Sequence, residues 1–105
     1  PPEKPTIRID EHGNVSRIEE TYNEGSDVRF TCESRGGIPP PKLTWYHENS
    51  VIDETYYYDN RTGITINSLV FAKVQRKDYK TRLICQANNT NLTTPLTNLV
   101  ILDIN

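Results

Sequence analysis

Two cysteines and the single tryptophan constrain this chain more than any other feature of its 105 residues. Cys32 stands in "DVRFTCE", Trp45 follows thirteen residues later in "KLTWYHE", and Cys85 stands in "RLICQAN". Each segment alternates with a period of two, the pattern of a half-buried strand. Val28, Phe30 and Cys32 fall on one side of the first, with Arg29, Thr31 and Glu33 on the other. Leu43 and Trp45 oppose Thr44 and Tyr46 in the second. Leu83, Cys85 and Ala87 oppose Arg82, Ile84, Gln86 and Asn88 in the third. Both cysteines therefore hold matching inward positions. Taken alone, such a pair could also be two buried free thiols.

Turn-forming clusters break the rest of the chain at short intervals: "EHGN", "NEGSD", "RGGIPPPK", "HENS", "DNRTG" and "NNTN". Between them "SLVFAKV" offers Leu69 and Phe71 inward, with Val74 over the end of the core, and "QRKDY" allows one helical turn. The spacing between Trp45 and Ile64 leaves room for one short edge strand. The Cys…Trp…Cys frame then predicts an all-β, immunoglobulin-like sandwich of two antiparallel sheets, I-set or C2-like, with a Cys32–Cys85 bridge across the sheets under Trp45. Its expected core is Trp45, Leu83, Phe30, Leu69 and Phe71. Leu83 departs from the usual pattern, which places a corner tyrosine two residues before the second cysteine. A single domain spans 1–105, with 1–5 and 104–105 reading as linker-like edges.

Composition excludes more than it suggests. Lys and Arg are scattered and the net charge is −2, which gives no patch for nucleic-acid phosphates. The two histidines, His12 and His47, lack partners at metal-ligand spacing, and His47 reads as a partly solvated core residue. Asp53, Glu54 and Asp59 read as a solvated acidic edge. No Ser, His and Asp set falls on loops that a sandwich would join, so neither catalysis, a metal, a cofactor nor a small-molecule substrate is expected. Four N-x-S/T acceptor sites, at Asn14, Asn60, Asn88 and Asn91, are more than the composition predicts by chance. They favour secretory exposure, which also permits the bridge. Asn91 should be modified more often than Asn88, because two glycans three residues apart compete.

Several stretches go beyond the generic frame: "PPEKPTI", "DEHG", "YNEGSDVRFTCESRGGIPPPKLTWYHENSVID" and "RLICQANNTNLTTPL". Over essentially its whole length the chain resembles the second immunoglobulin domain of the Sidestep family of invertebrate neuronal cell-surface receptors. That resemblance implies an extracellular module of a single-pass membrane receptor in axon guidance and synaptic partner recognition. It also implies Beaten path family proteins as partners, bound mainly through the preceding domain, with the isolated domain a monomer. Two other readings are a homophilic adhesion domain and an intracellular structural domain of the giant muscle-protein type. The residues that could touch a partner are Tyr46 and Ile84, side by side on one outward face, joined by either Leu99 with Ile101 or Val100 with Leu102. Tyr57 belongs to "YYY", where at least one ring must face outward. "GIPPP" reads as a polyproline II loop that stiffens a domain-facing end.

Overall fold

The computed structural model describes residues 6–9, 13–15, 18–89 and 94–104, with only the backbone described before Thr21. Ten strands form among these residues: β1 (Thr6–Ile9), β2 (Gly13–Val15), β3 (Ile18–Tyr22), β4 (Val28–Arg35), β5 (Lys42–His47), β6 (Ser50–Asp53), β7 (Tyr57–Asp59), β8 (Ile64–Phe71), β9 (Arg82–Asn88) and β10 (Leu96–Ile104). They build two five-stranded sheets, ordered β2-β1-β4-β8-β7 and β3-β10-β9-β5-β6. All pairings are antiparallel except β3 with β10, so the N-terminal part of the chain contributes to both sheets.

The inward sets meet between the sheets. Phe30, Cys32, Leu43, Trp45, Leu83, Cys85, Val100 and Leu102 have no solvent exposure, and Val74 closes one end. Cys32 on β4 and Cys85 on β9 are disulfide-bonded across the sandwich, with Cα atoms 6.5 Å apart. Trp45 lies opposite Cys85 on the neighbouring strand, and its ring centroid is 6.3 Å from that of Phe30. Closing a loop of 53 residues stabilises the fold by about 4 kcal/mol in the chain-entropy account.

Several details differ from the sequence expectation. The interval between Trp45 and Ile64 holds two short strands, β6 and β7, on opposite sheets. A four-residue and a three-residue strand fit where one was expected. Strand β8 begins at Ile64, so Thr65 and Asn67 join Leu69 on the inward face. Phe71 packs against the core only half-buried, because β8 ends there and the sandwich opens. Ile104, read as part of a linker-like edge, is instead the last residue of β10 and 5% exposed. Thr31 does face outward, yet it is buried, because β4 runs between β1 and β8 and its hydroxyl meets that of Ser68 at 3.1 Å. His47 has inward parity but stands beyond the core at the β5–β6 turn and is exposed. The Ile38–Pro39 peptide bond is cis.

The corner near Leu83 is closed without a tyrosine hydroxyl. Leu83 fills the core, while Lys80 N donates to Leu102 O at 2.7 Å and Leu102 N donates to Thr81 O at 3.0 Å. A short 3-10 turn, Arg76–Asp78, shapes the approach, and Asp78 Oδ2 accepts from Gln75 N at 2.8 Å. Tyr79 stands outside this arrangement and is exposed.

Candidate interaction surfaces

Strand parity decides which side chains reach solvent, and register decides which of them become neighbours. On the outer face of the second sheet, Val51 lies opposite Tyr46, Tyr46 opposite Ile84, and Ile84 opposite Leu99. The four form one apolar row crossing β6, β5, β9 and β10. Tyr46, Ile84 and Leu99 are half-buried, whereas Val51 is 48% exposed. Of the two sets left open on the last strand, Leu99 and Ile101 face outward, while Val100 and Leu102 line the core.

A polar row flanks the apolar one on one side and a mixed row on the other. Thr44, Gln86 and Thr97 are aligned on one side, and Arg82 with Ile101 on the other. Further along, Thr21 Oγ1 donates to Asp103 Oδ2 at 2.9 Å, tying β3 to β10 on the same face. A narrow apolar centre with a polar surround has the layout of a small contact surface. Sequence reasoning found Tyr46 and Ile84 but missed Val51. The signal was there: a two-residue turn at Glu48–Asn49 pairs His47 with Ser50, which puts Val51 outward beside Tyr46.

Tyr57 belongs to a different surface. It pairs with Ile66 on the edge of the first sheet and is 59% exposed, with Tyr56 and Tyr58 exposed beside it. The structure therefore does not bring Tyr57 together with Tyr46 and Ile84. The neighbouring carboxylates are engaged locally. Asp53 Oδ1 accepts from Thr55 N and Thr55 Oγ1, and Asp59 Oδ1 accepts from Arg61 N. No group of three or more metal-ligating side chains occurs among the described residues.

The acceptor asparagines divide by position. Asn60 is exposed in the β7–β8 turn, and Asn88 is exposed at the end of β9, opposite Lys42. Asn14 lies on β2, where only the backbone is described, and Asn91 lies outside the described residues.

Comparison with known proteins agrees with this architecture. The immunoglobulin domain family matches residues 18–97. The netrin receptor unc-5 of Drosophila melanogaster is 37% identical over 87 residues, which is 72% of this chain but 8% of that protein. Human cell adhesion molecule 2 is 27% identical over 93% of this chain and 24% of its own length. The chain thus spans a small part of each of these relatives. Among solved structures, the mouse nectin-like molecule 4 full ectodomain (Ig1-Ig3) superposes with a TM-score of 0.75 at 23% identity, over 98% of this chain and 34% of that one. With its two sheets, its Cys32–Cys85 bridge and the family match over most of its length, this chain belongs to the immunoglobulin domain family and is homologous to receptor and cell-adhesion proteins.

Proposed function

We propose that this domain is a supporting module in the extracellular part of a Sidestep-type, single-pass cell-surface receptor acting in axon guidance and synaptic partner recognition. It is one unit of a tandem array that orients a partner-binding domain ahead of it. The disulfide suits an oxidising compartment. The exposed Asn60 and Asn88 suit glycosylation. The tandem reading draws on the similarity to a three-domain ectodomain and to a netrin receptor.

The observation that carries the supporting role is the outer face of the second sheet. Its apolar row is mostly half-buried and exposes on the order of 300 Å² at most, below the roughly 800 Å² that each partner contributes to a standard interface. A Beaten path protein is the proposed partner of the preceding domain. A surface-binding assay tests the reading with this domain alone and with a fragment carrying the preceding domain. The longer fragment binds and the isolated domain shows no binding at micromolar concentration. Equal binding by both would sink the supporting role and make the Tyr46–Ile84 row the leading site.

One observation favours a second reading, homophilic adhesion: the four-strand continuity of the row from Val51 to Leu99. Sedimentation of the isolated domain separates the two, since a micromolar dimer would select self-contact.

A further inference from the structure

The net charge of −2 hides a concentration of cations. Between Lys73 and Arg82, in "KVQRKDYKTR", stand five of the chain's twelve Lys and Arg and one of its fourteen acidic residues. The rest of the chain, with seven against thirteen, is acidic. Basic residues that look scattered along the sequence thus gather at the corner that carries β8 into β9. Lys73, Arg76, Lys77, Lys80 and Arg82 are all exposed there. Arg76 pairs with Glu24 at 3.1 Å, while the other four have no carboxylate partner among the described residues.

Two of these cations line a recess. Lys80 and Arg82 border an open cavity of about 580 Å³, together with Tyr79, Leu99 and Ile101. Its size falls within the range of small-ligand pockets. Tyr79 is exposed, and Lys80 Nζ stands 5.5 Å from the centre of its ring. Asp103 also lines the recess, but its Oδ2 already accepts from Thr21 Oγ1 at 2.9 Å. Glu19 holds the register position beside Ile101 on β3, across β10 from Arg82. The cationic side of the recess is therefore the one made by β9 and the corner.

We propose that this corner binds a sulfated polysaccharide, with one sugar ring in the recess against Tyr79 and sulfates on Lys80, Arg82 and Lys77. A run of exposed, unpaired cations complements an extended polyanion and not a single charge. The choice of polyanion rests on the extracellular reading above, since sulfated sugars are the polyanions of cell surfaces and matrix. The recess narrows the choice further. A guanidinium can offer two N–H groups to the oxygens of a sulfate as it does to those of a phosphate. An aromatic face packs against the C–H face of a sugar ring. A flat anionic membrane would meet the cations and leave the recess empty, and an acidic peptide would bring charges without repeating rings.

Calorimetric titration of the 105-residue domain with a heparin-type sulfated oligosaccharide tests the site. The domain has its own core and disulfide. Binding should weaken about twentyfold between about 50 and 200 mM sodium chloride, as three contacts to a single-stranded polyanion require. Lys80→Gln with Arg82→Gln should weaken it about tenfold. Arg35→Gln with Lys42→Gln removes the same charge at the opposite pole and should leave it within about twofold. Tyr79→Ser, at unchanged charge, should weaken it severalfold. All five side chains are exposed, so the denaturant midpoints of these variants should hold. No binding at the lower salt, equal losses for the two double variants, or no loss with Tyr79→Ser overturns the proposal. Equal binding of a desulfated oligosaccharide overturns it too. So does equal binding of a charge-matched poly-glutamate peptide or of anionic phospholipid vesicles, which would make an acidic protein segment or a membrane the occupant. The extracellular reading is read separately, by the glycan mass of the secreted protein, and can fail without changing this titration.

Discussion

Asn67 has no solvent exposure, yet its side-chain amide donates to Leu43 O at 3.0 Å and to Asp53 O at 3.4 Å. In the opposite direction Trp45 Nε1 donates to Asn67 O at 3.0 Å. These bonds cross from one sheet to the other where the two edge strands stop. Strand β6 pairs with β5 only from Trp45 onward, and β7 reaches β8 only as far as Ile66. The carbonyls of Leu43 and Asn67 therefore lie just past the ends of their short neighbours and take partners across the core. A buried carbonyl left without a donor costs roughly 1–3 kcal/mol, so Asn67→Ala should destabilise by about 2 kcal/mol in urea unfolding. Asn67→Asp should cost more at neutral pH, because a carboxylate would face two carbonyls with no donor; equal losses for the two variants would show that these bonds contribute little. The bridge is the other decisive pair. Replacing both Cys32 and Cys85 by alanine should lower stability by about 4 kcal/mol, and thiol labelling of the unfolded, unreduced wild type should find no free cysteine.

The corner between β8 and β9 shows how an element can keep its geometry after losing its usual side chain. With Leu83 at the tyrosine position, the hold passes to the backbone bonds between Lys80, Thr81 and Leu102, and to Asp78 at the 3-10 turn. Asp78→Ala should therefore cost about 1 kcal/mol, the usual loss for a capping carboxylate, read as a shift in denaturant midpoint with unchanged slope. A neutral result would leave the β10 backbone bonds as the whole of the corner's hold. What could be read from the sequence follows the same logic of length. Strands β4, β5 and β9 carry long enough alternation around Cys32, Trp45 and Cys85 to fix their faces. Strands β2, β6 and β7 have three or four residues each and largely exposed side chains where described, so period two has little to act on. The division of β6 and β7 between the sheets comes from tertiary pairing. Asn67 was legible only by counting back two positions from Leu69, and its polarity argued against a core assignment. Thr31 shows the limit of parity, which gives the face but not the accessibility.

Across the whole molecule, the features that could meet another protein occupy separate places. Ile38, exposed in the loop between β4 and β5, stands at the pole where β1 begins, with Asn60 and Asn88 near the same end. The apolar row from Val51 to Leu99 crosses the middle of the second sheet. The tyrosines from Tyr56 to Tyr58 line the edge of the first. A glycan at Asn88 would stand on the outward side of β9, four residues along the strand from Ile84, and would crowd one end of that sheet face. A large partner would then have to bind beside a sugar, on a strip narrower than a standard interface. Under the supporting-module reading this strip contributes nothing to partner affinity, so Val51→Lys with Ile84→Lys should leave binding by the longer fragment within about twofold, a change below about 0.5 kcal/mol. Both side chains face outward, and because Ile84 is half-buried the stability of the variant is measured together with its affinity. A surface-binding titration of the double variant, with its denaturant midpoint measured alongside, decides between the surfaces. A tenfold loss of affinity at unchanged stability would move the partner onto the Tyr46–Ile84 row.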